Sequence, residues 1–318
     1  MSMLRYFGGV AAYLIAGAGT AFACDLASSD EYLALKEKTI REKIASAEML
    51  RDRLFYGGQS ELQQRRYKIA MAKFEETIAE DPNCAAAHVY LGHALSNVIR
   101  ESTGWRDLAP DAIKEHFSGV YGHYERAIEV DPSFGLPHYF WVESLKDQVT
   151  QKSYPDFVPF ARAYRLALEA EPNFSKAKQE LTDLLAGSVM VDLHHIAHFS
   201  PLDGKPGLIS KPEYVLRGRR MICFAREAEP YLLWRIESTA SKRQGFDDML
   251  WLVAVYLAQG RFDETPSIIM APENVPDETR AIIELLLLKK LLLSYSSYLT
   301  EYERLEEYVL PLDCSEFY

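Results

Sequence analysis

Apolar residues recur at helical spacing in three similar stretches of the chain, each of which ends in a proline. The stretches are Phe74–Pro82, Tyr124–Pro132 and Tyr164–Pro172. Counted back from each proline, an aromatic residue stands at eight, a small residue at five and an aliphatic residue at four. Because steps of three and four residues return to one face of a helix, the pattern predicts an amphipathic helix before each proline.

A second helix is predicted after each proline. Large apolar residues stand nine and thirteen positions further on, which is again a helical spacing. They are Leu91, Trp141 and Leu181, then Leu95, Leu145 and Leu185. Proline followed by Asn or Ser interrupts the chain between the two helices. The sequence therefore predicts one helical pair per unit, repeated.

These units resemble the tetratricopeptide repeat (TPR) family, whose pattern places an aromatic residue, Ala and Pro at these offsets. Leu91-Gly92 matches the family's Leu-Gly in the other helix, whereas Trp141-Val142 and Leu181-Thr182 depart from it. The resemblance covers Gln59 to Gly187. It implies an all-α fold, a TPR-like helical-hairpin solenoid with a divergent helical C-terminal half. It does not imply one function, since the family binds very different partners.

Two insertions lengthen the repeats. The prolines lie 50 and 40 residues apart, against about 34 in the family. The extra residues fall at Asn97–Lys114 and Gln148–Pro155. Insertions of this kind map to one rim of a solenoid, so they are either a binding edge or tolerated surface loops.

Four regions are expected along the chain: a signal peptide over 1–23, an N-terminal capping helix in 24–58, repeats over 59–190 and a divergent helical region over 191–318. The capping box Ser28-Ser29-Asp30-Glu31 opens the capping helix, and Gly57-Gly58 is expected to end it.

The divergent C-terminal region also shows helical patterns. Phe199–Pro212 is rich in Pro and Gly and predicts a loop. Leu250–Pro266 predicts a degenerate repeat unit, and Asp277–Glu307 a long helix or helical pair. Lys289-Lys290 interrupts the apolar run of this last segment, so we expect a buried helix and not a membrane span.

The first residues predict export. Arg5 precedes an apolar run, and Ala21-Phe22-Ala23 places small residues where a signal peptidase cleaves. The mature chain would begin at Cys24 in the periplasm or outside the cell, with no transmembrane span. Alternatively, Cys24 carries acyl chains as in bacterial lipoproteins and anchors the chain to the membrane, although Phe22 and Ala21 depart from that cleavage pattern.

Net charge and cysteine content limit the partners and the disulfides that we expect. The net charge is −11, from 35 basic and 46 acidic residues, and such a chain repels phosphate, so no nucleic-acid partner is expected. In an oxidising compartment disulfides can form. The four cysteines are Cys24, Cys84, Cys223 and Cys314. No two are close in sequence, so we expect at most one long-range bridge.

Catalytic signatures are absent from the sequence. It contains no phosphate-binding glycine loop, no Gly-x-Ser-x-Gly and no His-Glu-x-x-His. The remaining candidate is a histidine cluster, in which His194 and His198 would share a helical face beside His195 and Asp192. Two imidazoles could hold zinc or copper only with a third ligand from elsewhere. We therefore expect no enzyme, no cofactor and no metal site here, with His194 and His198 as the weak candidate ligands.

The TPR resemblance implies that the first helix of each pair lines a groove. The matching groove residues that we expect to bind a partner are Val89, Tyr90, His93, Asn97, Tyr139, Phe140, Glu143 and Lys146. Repeats that clamp a C-terminal carboxylate carry Lys and Asn at the places of Val89 and His93, so this mode is disfavoured. Aromatic and charged residues together suit an apolar peptide, a partner helix or a small ligand.

Three functions follow as hypotheses. The first is a noncatalytic scaffold that binds another cell-envelope protein or peptide through the aromatic groove. The second is a lipoprotein similar to the TPR lipoproteins of TRAP-type transporters, which would dock a solute-binding protein or ligand. The third is a metal-binding accessory protein or enzyme built on His194, His195 and His198.

Overall fold

The computed structural model describes residues 24, 28–102, 112, 115–149, 157–199, 211–238, 242–261, 264 and 312–318. Within these residues the fold is all-α, as predicted, and contains no strand. The α-helices are α1 (Ser29–Leu33), α2 (Glu37–Ser46), α3 (Leu50–Gln63), α4 (Tyr67–Glu80), α5 (Ala85–Glu101), α6 (Ser118–Val130), α7 (Leu136–Val149), α8 (Val158–Ala170), α9 (Ser175–Phe199), α10 (Lys211–Ser238) and α11 (Lys242–Ala258). A 3-10 turn (Ser315–Phe317) closes the chain.

From α2 onwards, helices pack in chain order. Each of them contacts the next one along the sequence. Odd-numbered helices also contact the following odd-numbered helix in three places, α3 with α5, α5 with α7 and α9 with α11. We call α3, α5, α7, α9 and α11 the odd-helix layer. We call this succession of helices, each packed on the next, the array.

The three proline turns have the same geometry. In each, the residue before the proline donates its N–H to the carbonyl four residues back, at 2.9 Å from Thr77, Ala127 and Ala167. Its own carbonyl then accepts from the residue three positions on, namely Cys84, Phe134 and Phe174. Asp81 and Asp131 also accept from the backbone N–H two residues later, at 3.1 and 3.0 Å. The predicted helix–turn–helix units are therefore present at all three prolines.

The repeated positions form the core between paired helices. The aromatic residues eight before each proline, Phe74, Tyr124 and Tyr164, are completely buried. So are the small residues at five, Thr77, Ala127 and Ala167. Full burial of a large ring contributes about 3 kcal/mol each. The repeated aromatic and small positions are thus at the centre of each hairpin, while the aliphatic residues four before each proline are half-buried.

Two glycines permit the closest helix contacts. A Cβ atom added to Gly58 would lie 2.6 Å from the ring of Phe74, and one added to Gly92 would lie 2.8 Å from the ring of Tyr124. Carbon atoms do not approach so closely without repulsion. Gly58 in α3 and Gly92 in α5 therefore occupy the same role, in which an absent side chain admits the aromatic ring of the neighbouring helix.

The predicted capping helix is wrong in its extent. Residues 28–63 form three helices, and Gly57-Gly58 lies inside α3 instead of ending a helix. The predicted boundary between residues 58 and 59 falls within α3, and α3 pairs with α4 as a hairpin. The chain breaks after Leu33 although no Gly or Pro is present. The carbonyl of Leu35, released by the break, accepts a 2.6 Å hydrogen bond from Gln63 of α3.

In the C-terminal part, α9 runs through to Phe199 and so spans the position of the predicted 190/191 boundary. α10 and α11 pack on α9 and on each other. α11 covers the predicted degenerate unit as far as Ala258. The predicted signal over 1–23, the predicted segment Asp277–Glu307, most of the loop within Phe199–Pro212 and most of both insertions lie outside the described residues.

Two disulfides correct the expectation of at most one. Cys24 is bonded to Cys84, and Cys223 to Cys314, across 60 and 91 residues of sequence. Because the Cys24 sulfur is bonded to Cys84, it is not available for an acyl anchor, and this contradicts the lipid alternative. Each bridge fastens a terminal segment to the helical array, the N-terminal one at the start of α5 and the C-terminal one at α10.

Ion pairs reinforce the C-terminal attachment. Arg165 of α8 forms a bidentate pair with Glu227 of α10, and it donates to the carbonyl of Phe317 at 2.6 Å. Its guanidinium also lies 4.6 Å from the ring centre of Tyr318.

Among the helices that the structure describes, none has the length and apolar character required to cross a bilayer.

Candidate functional site

Most of the predicted groove residues are in the odd-helix layer but are not open to solvent. Val89 is fully buried, and Tyr90, Tyr139 and Phe140 are 3, 7 and 6% exposed. The partly exposed members are His93, Asn97 and Glu143. Lys146 belongs to α7, but its side chain lies outside the described residues. The structure therefore brings these residues together in one layer, with the aromatic ones packed against other rings.

Those rings form one continuous aromatic cluster. Tyr90 lies at its centre, 5.9 Å from Phe55, 5.9 Å from Phe74 and 5.8 Å from Phe140 between ring centres. Tyr139 extends the cluster from Phe140, at 5.6 Å. Aromatic pairs at these separations add to the hydrophobic stabilisation of burial. The cluster joins α3, α4, α5 and α7, so it holds successive repeats together.

The N-terminal segment covers this cluster. We call residues 28–35 the docked segment. Its Tyr32 is 4% exposed and lies 5.3 Å from Phe134, 6.1 Å from Phe55 and 6.3 Å from Tyr90. Its Leu33 and Ala34 line a cavity together with residues of α7 and α9. The docked segment thus packs on Tyr90 and borders Tyr139, two of the residues that the sequence assigned to partner binding.

Polar contacts fix the same segment at its other side. The Asp30 carboxylate accepts from the backbone N–H groups of Ser175 and Lys176, at 2.6 and 3.1 Å. These are the first two residues of α9, whose N–H groups have no partner within the helix. A carboxylate at this end also interacts favourably with the helix dipole. Asp30 therefore caps a helix 145 residues away in sequence.

Glu171 holds the residue before Asp30. Its carboxylate accepts from the backbone N–H of Ser29 at 2.9 Å and from the Ser29 hydroxyl. It also accepts from the backbone N–H of Gly135 at 3.3 Å. The other two turns have Asp at this position, which bonds within its own turn. The longer Glu side chain reaches across to the docked segment.

Local sequence explains how the docked segment begins. The Ser28 hydroxyl accepts from the backbone N–H of Glu31 at 3.3 Å, which confirms the capping interaction predicted at this position. One turn of helix places Ser29 and Tyr32 on one face, three residues apart, and both are buried. A single capped turn therefore presents a hydroxyl to the end of α8, a carboxylate to the start of α9 and an aromatic ring to the aromatic cluster.

His93 is a neutral member of the site. Burial lowers the pKa of its imidazole, and the positive charge of Arg100 lowers it further. The ring stacks on Phe140 at 4.2 Å between centres, and its Nε2 accepts from the Asn97 amide at 3.2 Å. Asn97 also donates to the His93 carbonyl, at 2.9 Å. The pair forms a neutral polar patch at the edge of the aromatic cluster.

A buried hydrogen-bond chain joins α5, α6 and α7. The Tyr124 hydroxyl lies 3.3 Å from Ser144 Oγ, which in turn is 3.4 Å from Ser96 Oγ. Burial raises the pKa of the Tyr124 hydroxyl above its ordinary value. Burial also raises the pKa of Tyr164, and the carboxylates of Glu143 and Glu180 raise it further. These hydroxyls are neutral hydrogen-bonding groups at physiological pH.

A cavity of about 460 Å³ opens beside the docked segment. Its lining residues are Asp30, Leu33, Ala34, Tyr139, Ser175, Lys176 and Gln179. Gln179 is exposed, and Lys176 pairs with Glu180 at 2.8 Å. Its lining combines apolar side chains with polar and charged ones, a combination that suits an amphipathic peptide.

The histidine cluster lies on the C-terminal half of α9. His195 is 6% exposed, while the side chains of His194 and His198 lie outside the described residues. Asp192 is completely buried and accepts from Arg217 at 3.1 Å and from Arg220 at 2.8 and 2.6 Å. Its carboxylate is therefore shared between two guanidinium groups. In the part of the chain that the structure describes, no three His, Cys, Asp or Glu side chains converge as a metal site.

Comparison with known proteins adds no assignment. No protein-family model matches the chain, and a search of curated proteins finds no significant similarity.

The site residues that sequence reasoning missed are Ser29, Asp30, Tyr32 and Glu171. The capping box marked the first two, but only as the start of a longer helix. A weak signal for Glu171 was present, since the third turn has Glu-Pro where the first two have Asp-Pro. No sequence pattern connects these residues across more than 140 positions.

Proposed function

We propose that this chain is a noncatalytic, exported scaffold with a TPR-like array that binds a protein or peptide of the cell envelope. The observation that carries the proposal is the aromatic odd-helix layer with a peptide-like segment seated on it. Two disulfides are compatible with an extracytoplasmic location. The repeated turns and the shared roles of Gly58 and Gly92 support the TPR-like assignment.

The partner-binding surface in this proposal is the exposed part of the odd-helix layer. His93, Asn97 and Glu143 are partly exposed, and Gln179 is exposed beside the cavity. Tyr139 and Phe140 contribute by shaping the layer from within, because both are buried. A charge placed at either of them would destabilise the fold, so binding is better tested at the exposed positions.

Site-specific photocrosslinking tests the proposal. A photoreactive amino acid at Gln179 probes the odd-helix layer, and the same amino acid at Glu75, exposed on α4, is the matched control on the other layer. We expect the probe at Gln179 to crosslink one discrete partner from the native envelope. The probe at Glu75 should not crosslink that partner. Equal crosslinking at both positions, or none at Gln179, would contradict a binding role for this layer.

A further inference from the structure

The docked segment contacts the helical array through three separate chemical groups, two of which meet the odd-helix layer and one the end of α8. The Ser29 hydroxyl and N–H bind Glu171, the Asp30 carboxylate caps α9, and the Tyr32 ring packs on Phe55 and Tyr90 of the aromatic cluster. These groups meet three different parts of the array, the end of α8, the start of α9 and the rings of α3 and α5. A short peptide bound by a preformed surface uses the same combination of a buried aromatic anchor and charge-assisted polar contacts.

Both ends of the docked segment are fastened. Cys24 is bonded to Cys84 just before α5, and α2 follows the segment and packs on α3. Tethering at two ends keeps the segment at a high effective concentration over its site, which is on the order of millimolar for short linkers. A competing segment must therefore bind more strongly than the tethered segment does, or bind when one of the two attachments has been released.

We infer that the odd-helix layer is a peptide-binding site that the docked segment occupies in cis. The partner that fits it is a protein segment of matching chemistry, in which a hydroxyl residue is followed by a carboxylate and, two residues later, by an aromatic residue on one helical turn. The cavity beside Ala34, with exposed Gln179 on its rim, gives room for a partner longer than the docked segment. The inference rests on the proposed function and names the kind of partner for the same layer.

Binding of the chain's own peptide in trans tests this inference. The probe is a fluorescent peptide of residues 27–36, and the acceptor is the full chain with C24S, C84S and Y32A, which releases one tether and removes the aromatic anchor. The matched control carries C223S and C314S, which open the other disulfide and leave the docked segment in place. Fluorescence anisotropy measures each affinity.

We expect saturable binding to the released chain, at least roughly ten-fold tighter than to the wild-type chain or to the C223S/C314S control. A peptide with Tyr32→Ala should bind about ten-fold more weakly, and Glu171→Gln in the acceptor should weaken binding similarly. Absence of saturable binding to a released chain that unfolds cooperatively in urea would overturn the inference, as would equal binding of the Tyr32→Ala peptide.

A second measurement decides the question if the released chain does not fold. Hydrogen exchange compares the wild-type chain with C24S/C84S. We expect faster exchange at residues 29–33, with α5 and α7 unchanged, because a bound ligand dissociates without unfolding its site. Exchange of residues 29–33 only together with α5 would make the segment part of the core and overturn the inference.

Three further outcomes can be told apart. If C24S/C84S forms a dimer by exchanging the docked segment, as sedimentation would show, the occupant is a second copy and the stated partner is wrong. If the peptide does not bind but Gln179 still crosslinks to an envelope partner, only the inference fails. If the peptide binds and Gln179 crosslinks to nothing, the proposed function fails instead.

Discussion

The Glu171 carboxylate lies 2.9 Å from the backbone nitrogen of Ser29, although 142 residues separate them. Glu171 directly follows α8, and six residues earlier, within α8, Arg165 donates to the carbonyl of Phe317 near the end of the chain. One helix, α8, therefore binds both terminal segments. Each attachment is reinforced by a disulfide, so both terminal segments are held against the middle of the array.

Glu171→Gln should destabilise the chain by about 1–3 kcal/mol, because it weakens charge-assisted bonds to Ser29 and Gly135. Glu171→Asp should have a similar effect, since the shorter side chain would not reach the docked segment. Urea unfolding measures the change, and hydrogen exchange should rise at residues 29–33. Glu169→Gln, on the exposed side of α8, is the control. Equal effects of both variants would contradict the role of Glu171.

Removing either disulfide should lower the free energy of unfolding by about 2–5 kcal/mol, because each closes a long loop in the unfolded chain. The local effects should differ. C24S/C84S should increase proteolysis and exchange in the docked segment, while C223S/C314S should increase them at residues 312–318. Limited proteolysis with mass spectrometry separates the two, and the same cleavage sites in both variants would show that neither bridge acts locally.

Gly58→Ala and Gly92→Ala should each destabilise the fold by about 1–3 kcal/mol, because the new Cβ would collide with Phe74 or Tyr124. Gly122→Ala in α6 is the matched control, since a Cβ there would meet no atom within 4 Å. Alanine has the higher helix propensity, so this control should stabilise by up to about 1 kcal/mol. Thermal melts of the three variants test the difference in sign.

Stability should fall as the pH drops below about 6.5, the ordinary value for histidine. The pKa values of His88, His93, His123 and His138 are all lowered, in each case first by burial. In the window between those lowered values and 6.5, the unfolded chain binds more protons than the folded one, so acid favours unfolding. Above 6.5 the difference disappears, because the histidines are neutral in both states.

Urea midpoints at pH 7.5 and 5.5 measure this dependence. His93→Gln should reduce the difference between the two midpoints, since it removes one of the four groups. His116→Gln, at an exposed position before α6, is the control and should leave the difference as it is in the wild-type chain. A larger difference in His93→Gln would show that the sign of the effect is wrong.

Asp192→Asn should cost about 3–5 kcal/mol, because it removes the buried charge that Arg217 and Arg220 share. Glu213→Gln is the matched variant, because the Glu213 carboxylate also pairs with Arg217, at 2.7 Å, but is partly exposed. A surface pair contributes about 0–1 kcal/mol, so this variant should be much milder. Similar losses in both would contradict the distinction by burial.

The sequence alone determined the helical hairpins. Each proline turn, the aromatic residue eight before it and the small residue at five recur with the same burial, because helix periodicity and the proline break are local properties of the chain. The all-α class followed from them. The predicted groove residues lie on α5 and α7 of the odd-helix layer, but how far each is buried was not predictable from the spacing.

Tertiary structure decided what covers that layer. Leu33 to Glu37 contains no residue that ends a helix, and the break there is accompanied by a hydrogen bond from Gln63. The two disulfide pairings and the Ser29–Glu171 contact join residues 60 to 142 positions apart. Such contacts depend on how all the intervening helices pack, and periodicity records only which face of each helix is buried.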